Sequence, residues 1–198
     1  MTIGKIIILN GIPSSGKSSI ISVLQNILEE PYLESGLDKF LGMLPNRYYE
    51  PILWNQVFGL DEANKIGWNL ISGMDQAIAV LSKAGNNTLV DHVIWSEQWL
   101  KECAYLFFDL PAYFIGVHCP LDVAEKREKT RINRTVGQAQ ARYPKVHQNC
   151  IYDYEVDTSK DSPENCAIKI KERIQNGVPP MAFKKIKSNF ESVRYTEN

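Results

Sequence analysis

The stretch Lys5-Ile6-Ile7-Ile8-Leu9-Asn10-Gly11-Ile12-Pro13-Ser14-Ser15-Gly16-Lys17-Ser18 decides the reading of this chain, because an apolar run there opens into the pattern G-x-x-x-x-G-K-S. The two glycines permit backbone conformations that a Cβ would block, so successive N–H groups can turn inward around an anion. Lys17 adds a mobile charge for outer phosphates, and the Ser18 hydroxyl suits a magnesium position. The helix that opens there aims its positive end at the same place. Such a pattern also arises by chance in loops rich in Gly and Ser, and here the flanks argue against chance. Ile6, Ile7, Ile8 and Leu9 read as a buried parallel strand, and Ile20, Ile21, Leu24, Ile27 and Leu28 mark an apolar helix face behind the loop. Gly11, Ile12, Pro13, Ser14, Ser15, Gly16, Lys17, Ser18 and Ser19 are therefore the candidate phosphate cradle.

A length of 198 residues fits one domain with a full core beneath a sheet and its helices. With 22 basic against 23 acidic residues, the balance supplies no basic excess of the kind that nucleic-acid binders carry. Cys103, Cys119, Cys150 and Cys166 form no C-x-x-C pair and have no histidine at zinc-ligand spacing, which suits reduced core thiols. No leader-like start and no run of membrane-spanning length is visible, so a cytoplasmic protein with no membrane contact is expected.

Further strands follow at Tyr32, Thr88, Tyr113 and Tyr152, alternating with helical patterns. The expected fold is α/β, a three-layer arrangement with a mostly parallel five-stranded sheet flanked by helices. Two strands end in carboxylates. Asp38, after Tyr32-Leu33-Glu34-Ser35-Gly36-Leu37, is either a reactive group at the carboxyl end of a strand or an N-cap of the next turn. Asp91, after Thr88-Leu89-Val90, is either the acidic partner that holds magnesium opposite Ser18 or a cap for a helix near Ser96. His92 reads as a hydrogen-bonded structural residue. Residues 45–65 are irregular and carry Tyr48, Tyr49, Trp54 and Phe58, which either wall an acceptor pocket or pack the segment down.

Leu70, Ile71, Met74, Ala77, Ile78 and Leu81 predict a long helix stopping at Gly85. Pro120 opens a polar helix expected to run through Arg131 or beyond. Arg127, Arg131 and Arg134 fall at i, i+4 and i+7, so a continuing helix would put them on one face, as a lid over a triphosphate or as a solvated face. A second short lid helix is expected over residues 137–143. The tail beyond Val178-Pro179-Pro180 places Phe183, Ile186, Phe190 and Val193 at helical spacing, for docking on the body or on a second subunit.

Taken together these motifs resemble the chloramphenicol phosphotransferase family of phosphate-loop kinases. The likeness rests on I-I-L-N-G with S-S-G-K-S, G-L-D at Gly36 to Asp38, V-D-H-V from Val90 and G-V-H-C from Gly116. It continues through A-E-K-R-E from Ala124, with Arg131, Arg134 and Gly137 following, to Y-D-Y-E-V-D-T-S from Tyr152. It implies a kinase domain over residues 1–177, with a lid near 127–146, an acceptor-side segment near 45–66 and a tail at 178–198. It also implies ATP as donor, Mg2+ as cofactor, a small-molecule alcohol as acceptor, Asp38 as catalytic base, and lid arginines Arg127, Arg131 and Arg134 on the nucleotide. Ile12 and Pro13 replace smaller residues of the family and stiffen the loop. Residues 45–65 agree least with it, which leaves the acceptor open. The rivals are a nucleoside, nucleotide or sugar-nucleotide kinase, and a nucleotide switch without a transferred product. Against the switch, Asn64-Lys65-Ile66-Gly67 lacks the aspartate of the guanine-selecting motif.

Overall fold

The computed structural model describes residues 2–49, 65–130 and 136–194. Trp54, Phe58, Arg131 and Arg134, with the rest of 50–64 and 131–135, lie outside the described residues.

Strand β1 (Ile6–Asn10) is buried at every position, as a strand covered on both faces must be. It pairs in parallel with β3 (Asn87–His92) on one side and β4 (Ala112–His118) on the other. Strand β2 (Tyr32–Gly36) extends the sheet beyond β3, and β5 (Tyr154–Asp157) extends it beyond β4. The order is β2-β3-β1-β4-β5, with all five strands parallel. Strand order reverses at β1, and ligands of open parallel sheets gather at the carboxyl edge of such a point.

Alternation along β1 divides the core. Ile7 and Leu9 pack with Ile20, Ile21 and Leu24 of α1 (Lys17–Ile27) and Ile170 of α7 (Pro163–Gln175). Ile6 and Ile8 face the other layer, made by α3 (Lys65–Lys83), α4 (Glu97–Phe107) and α8 (Ala182–Arg194). Helix α3 stops short of Gly85, whose φ of 91° suits only a residue without a Cβ. Helix α8 packs on the body through buried Ala182, Phe183 and Ile186, and the Phe183 ring lies 4.8 Å from Phe114. Asp153 fixes its start, since Oδ1 accepts from the Met181 and Ala182 N–H groups while Oδ2 accepts from Phe114 N.

Two element ends differ from the expected ones. Strand β2 stops at Gly36, and Asp38 lies inside the short helix α2 (Leu37–Leu41). The reason is tertiary: Gly36 has a φ of 140°, and a Cβ on it would sit 2.6 Å from the Asp91 carbonyl oxygen on β3. Helix α5 (Leu121–Lys129) closes before Arg131, with Thr130 N–H donating to the Arg127 carbonyl. Arg127 belongs to it. The Glu128 side chain turns instead to the N–H groups of Gly137 and Ala139, at the start of α6 (Gln138–Arg142). Among the described residues no helix is long and apolar enough to cross a membrane.

Gly36→Ala is expected to lower unfolding stability by about 3 kcal/mol, since backbone cannot give way as a flexible side chain does. A urea-denaturation midpoint unchanged from wild type would refute that account of the β2–α2 turn.

Candidate active site

The loop between β1 and α1 begins against β4, where a Cβ on Gly11 would lie 2.4 Å from the Val117 carbonyl oxygen. Ser14 (φ 63°) and Gly16 (φ 97°) are both left-handed, the conformation that turns consecutive amides into one concavity. Ser14 is the strained member, and strain held in a non-glycine residue is typical of ligand clamps. Among the described residues the buried hydroxyls of Ser14 and Ser15 have no hydrogen-bond partner, which makes them candidates for a polar ligand. Ile12 is buried, Pro13 and Gly16 line the pocket, and Ser19 is exposed on the first turn of α1.

Lys17 is only 4% exposed. Its ammonium donates to the Gly11 and Ile12 carbonyls at 2.9 and 3.0 Å and stands 3.4 Å from Asp91 Oδ1. The Ser18 hydroxyl meets Asp91 Oδ2 at 2.9 Å. Asp91 does not cap the next helix, because Ser96 takes that role with Trp99 N–H. One pocket is lined by Pro13, Ser14, Gly16, Lys17, Ser18, Leu37, Asp38, Asp91 and Val93. The loop and both candidate carboxylates thus share a single cleft. Asp38 is not an N-cap either, for that position is Gly36. Loop amides, an ammonium, a hydroxyl and a carboxylate pair form a polar set that fits a nucleotide phosphate with a hard cation.

Behind Asp91 lies a polar cluster that sequence reading did not assemble. His92 Nε2 stands 2.8 Å from Asp75 Oδ1, while Trp99 Nε1–H and the Cys103 thiol donate to Oδ2 at 2.8 and 3.5 Å. All four residues are buried, and burial with the neighbouring Asp75 pushes the Cys103 thiol well up. Asp75, His92 and Cys103 are ligand types within reach of one another. Their hydrogens already converge on one carboxylate, so the group anchors β3 to α3 and α4 as a satisfied network. The one local signal was Asp75 in the buried register of Ile71, Met74 and Ile78.

On the other side, Arg127 donates to Thr158 Oγ1 and O at 3.0 and 2.8 Å and reaches the Ser15 carbonyl at 3.5 Å. Thr158 itself donates to the Ser15 carbonyl at 2.6 Å, so Arg127 braces the back of the loop through the β5–α7 connection. Arg142 of α6 stacks its guanidinium 4.0 Å over the Trp95 ring. Nearby, His147 stacks on His118 at 4.3 Å, and its Nδ1 lies 2.8 Å from the Tyr152 hydroxyl. Burial, then His118 and Lys17, push His147 down from 6.5 to about 4. Folded protein therefore keeps it neutral where the unfolded chain takes up a proton, and stability is lost as pH falls from 6.5 toward 4. His147→Gln is expected to flatten that part of the stability–pH curve, read as urea midpoints at each pH. An unchanged slope would count against a neutral His147.

Comparison with known proteins agrees with this geometry. A family model described as chloramphenicol phosphotransferase-like protein matches residues 4–175. A Mycobacterium tuberculosis (strain H37Rv) protein provisionally named as an O-phosphotransferase is 27% identical, covering 96% of this chain and 90% of its own. Among solved structures, the Mycobacterium tuberculosis APS kinase in complex with AMPPNP and APS superposes with a TM-score of 0.64 at 15% identity, over 88% of this chain and 99% of that one. An unliganded sugar kinase from Janibacter sp. HTCC2649 also gives 0.64 at 15% identity, over 84% and 92%. At such identities these structures speak to the fold.

Proposed function

The chain belongs to the chloramphenicol phosphotransferase-like family of P-loop kinases, and from that premise we propose that it transfers the γ-phosphoryl group of ATP to a hydroxyl of a small-molecule acceptor. The observation that carries this reading is the single cleft in which Lys17, Ser18, Asp91 and Asp38 meet. Lys17 neutralises charge on the transferring group. Ser18 and Asp91 are the residues that would hold Mg2+, which when bound screens the phosphate oxygens. Asp38 takes the proton of the acceptor hydroxyl as its oxygen bonds to the γ-phosphorus and the bond to the β–γ bridging oxygen breaks, with ADP leaving. The transition state of such transfers is largely dissociative, so positioning and charge neutralisation supply most of the acceleration and the base a smaller part. On this reading Arg127 supports the loop from behind, while Arg131 and Arg134 are assigned to the nucleotide by resemblance.

The test is product analysis of purified protein with ATP, Mg2+ and a panel of alcohols: chloramphenicol, nucleosides and sugar nucleotides. A phosphorylated acceptor with stoichiometric ADP supports the reading, and phosphorylated chloramphenicol would add a role in antibiotic resistance. Release of ADP and free phosphate with every acceptor would favour a nucleotide switch instead. Omission of Mg2+ is expected to remove ADP release in either case. A cytoplasmic, ATP-rich setting suits this chemistry.

A further inference from the structure

We propose that Asn10 is the positioning residue that ties residues 137–152 to the phosphate loop, so that an anion gripped by the loop also orders that segment. The inference rests on the loop being a nucleotide site. Asn10 ends β1, directly precedes Gly11 and is wholly buried. A buried amide is expensive unless its donors and acceptor are matched. Asn10 matches them with three partners, one after β3 and two within residues 137–152. Its Oδ1 accepts from Ile94 N–H at 2.8 Å, three residues past Asp91. Its Nδ2 donates to the Val146 carbonyl at 2.9 Å and to the Tyr152 hydroxyl at 2.8 Å. The partners fix the amide orientation without ambiguity, since Ile94 N can only donate and Val146 O only accept.

The chain of donors continues in one direction. Tyr152 receives the Asn10 hydrogen, and its hydroxyl lies 2.8 Å from Nδ1 of His147, which burial keeps neutral; in the Nε2–H tautomer that nitrogen accepts the phenol hydrogen. An apolar contact runs beside it. Ile12, on the loop, packs in one buried cluster with Ala124 of α5, Ala139 of α6 and Val146, and Trp95 at its edge carries the Arg142 guanidinium. Residues on both sides of Gly11 thus grip the α6 segment, one by hydrogen bonds and one by packing. Backbone movement around an anion at Gly11 must alter both contacts, and the coupling is reciprocal, because a segment held in place pre-forms the loop. Through Ile94 the same amide also reaches the connection that follows Asp91.

Amide hydrogen exchange of the full chain, with and without Mg2+ and a non-hydrolysable ATP analogue, tests this. In wild type the analogue is expected to slow exchange about tenfold in both residues 11–18 and residues 137–152. Asn10→Asp keeps the shape and the Ile94 contact but sets a carboxylate oxygen against the Val146 carbonyl. Its loop should still gain protection, while the change in 137–152 shrinks to within about twofold. Tyr152→Phe, which deletes one hydroxyl and keeps the Val146 contact, should give an intermediate value and serves if Asn10→Asp does not fold. A merely structural Asn10 would raise exchange equally in both states and leave the ligand-dependent difference intact, which overturns the coupling while the kinase reading stands. Wild type whose loop gains no protection would remove the nucleotide reading, and the coupling with it.

Discussion

Lys17→Ala protein is expected to fold and to lose phosphoryl transfer by on the order of 10³-fold or more. The ammonium is almost fully buried and is held by the Gly11 and Ile12 carbonyls, with Asp91 at 3.4 Å. Those carbonyls fix where the charge sits before any phosphate arrives, and a preorganised charge in a water-poor cleft is worth far more than one that must be ordered during reaction. Removing it leaves Asp91 with Ser18, and Asp91 is 24% exposed, so water can take up part of the lost contact. The folding penalty should be about 1–3 kcal/mol, below the roughly 4 kcal/mol that a 10³-fold loss of rate represents. Lys17→Arg is the informative companion. A planar, forked guanidinium does not fit between two loop carbonyls as a compact ammonium does, so charge without shape should restore little. Initial rates with the acceptor found by product analysis, together with calorimetric affinity for the ATP analogue, provide the measurement. Turnover of Lys17→Ala within about tenfold of wild type would remove the loop from the chemistry as described.

How far such residues can be found from sequence depends on whether their partners are near in the chain. The run from Lys5 to Ser18 announces itself because strand, loop and helix signals are contiguous, and β1 is the buried parallel strand that its apolar run implied. Asp91 was legible for the same reason, as a carboxylate at the end of an apolar strand. The end of β2 was not. Nothing near Gly36 tells that Asp91, more than fifty residues on, presses against it and turns Asp38 into a helix. The Asp75 network joins α3, β3 and α4, and the Asn10 network joins β1 to residues 94, 146 and 152. In both, each residue alone looks ordinary, and only packing shows that their hydrogens converge. Arg127 was found by its helix position, yet its partners Thr158 and Ser15 come from other loops, and they turn the guanidinium toward bracing. The acceptor side was least legible for a chemical reason. Aromatic residues in an irregular segment pack down as readily as they line a pocket, and no spacing separates the two.

Asp38→Asn should lower transfer on the order of 10²- to 10⁴-fold while leaving affinity for the ATP analogue within a fewfold of wild type. Asp38 sits in the first turn of α2, reached by the sharp bend at Gly36, and lines the same cleft as Lys17 and Asp91. On the proposed reading it takes the proton of the acceptor hydroxyl. Asparagine keeps the shape and one acceptor oxygen but cannot take that proton. If Asp38 only orients the acceptor, Asp38→Asn should retain most activity and Asp38→Ala lose it; if it is the base, both should fall together. The loss must also be smaller than that of Lys17→Ala, because little bond formation to the incoming oxygen has occurred when charge on the transferring group is greatest. A second readout separates base from binder: slow ATP hydrolysis, in which water replaces the alcohol, should survive in Lys17-intact Asp38→Asn protein better than transfer does. Turnover of Asp38→Asn within a fewfold of wild type would refute Asp38 as the base, and the matching value for Asp38→Ala would then tell whether it orients the acceptor.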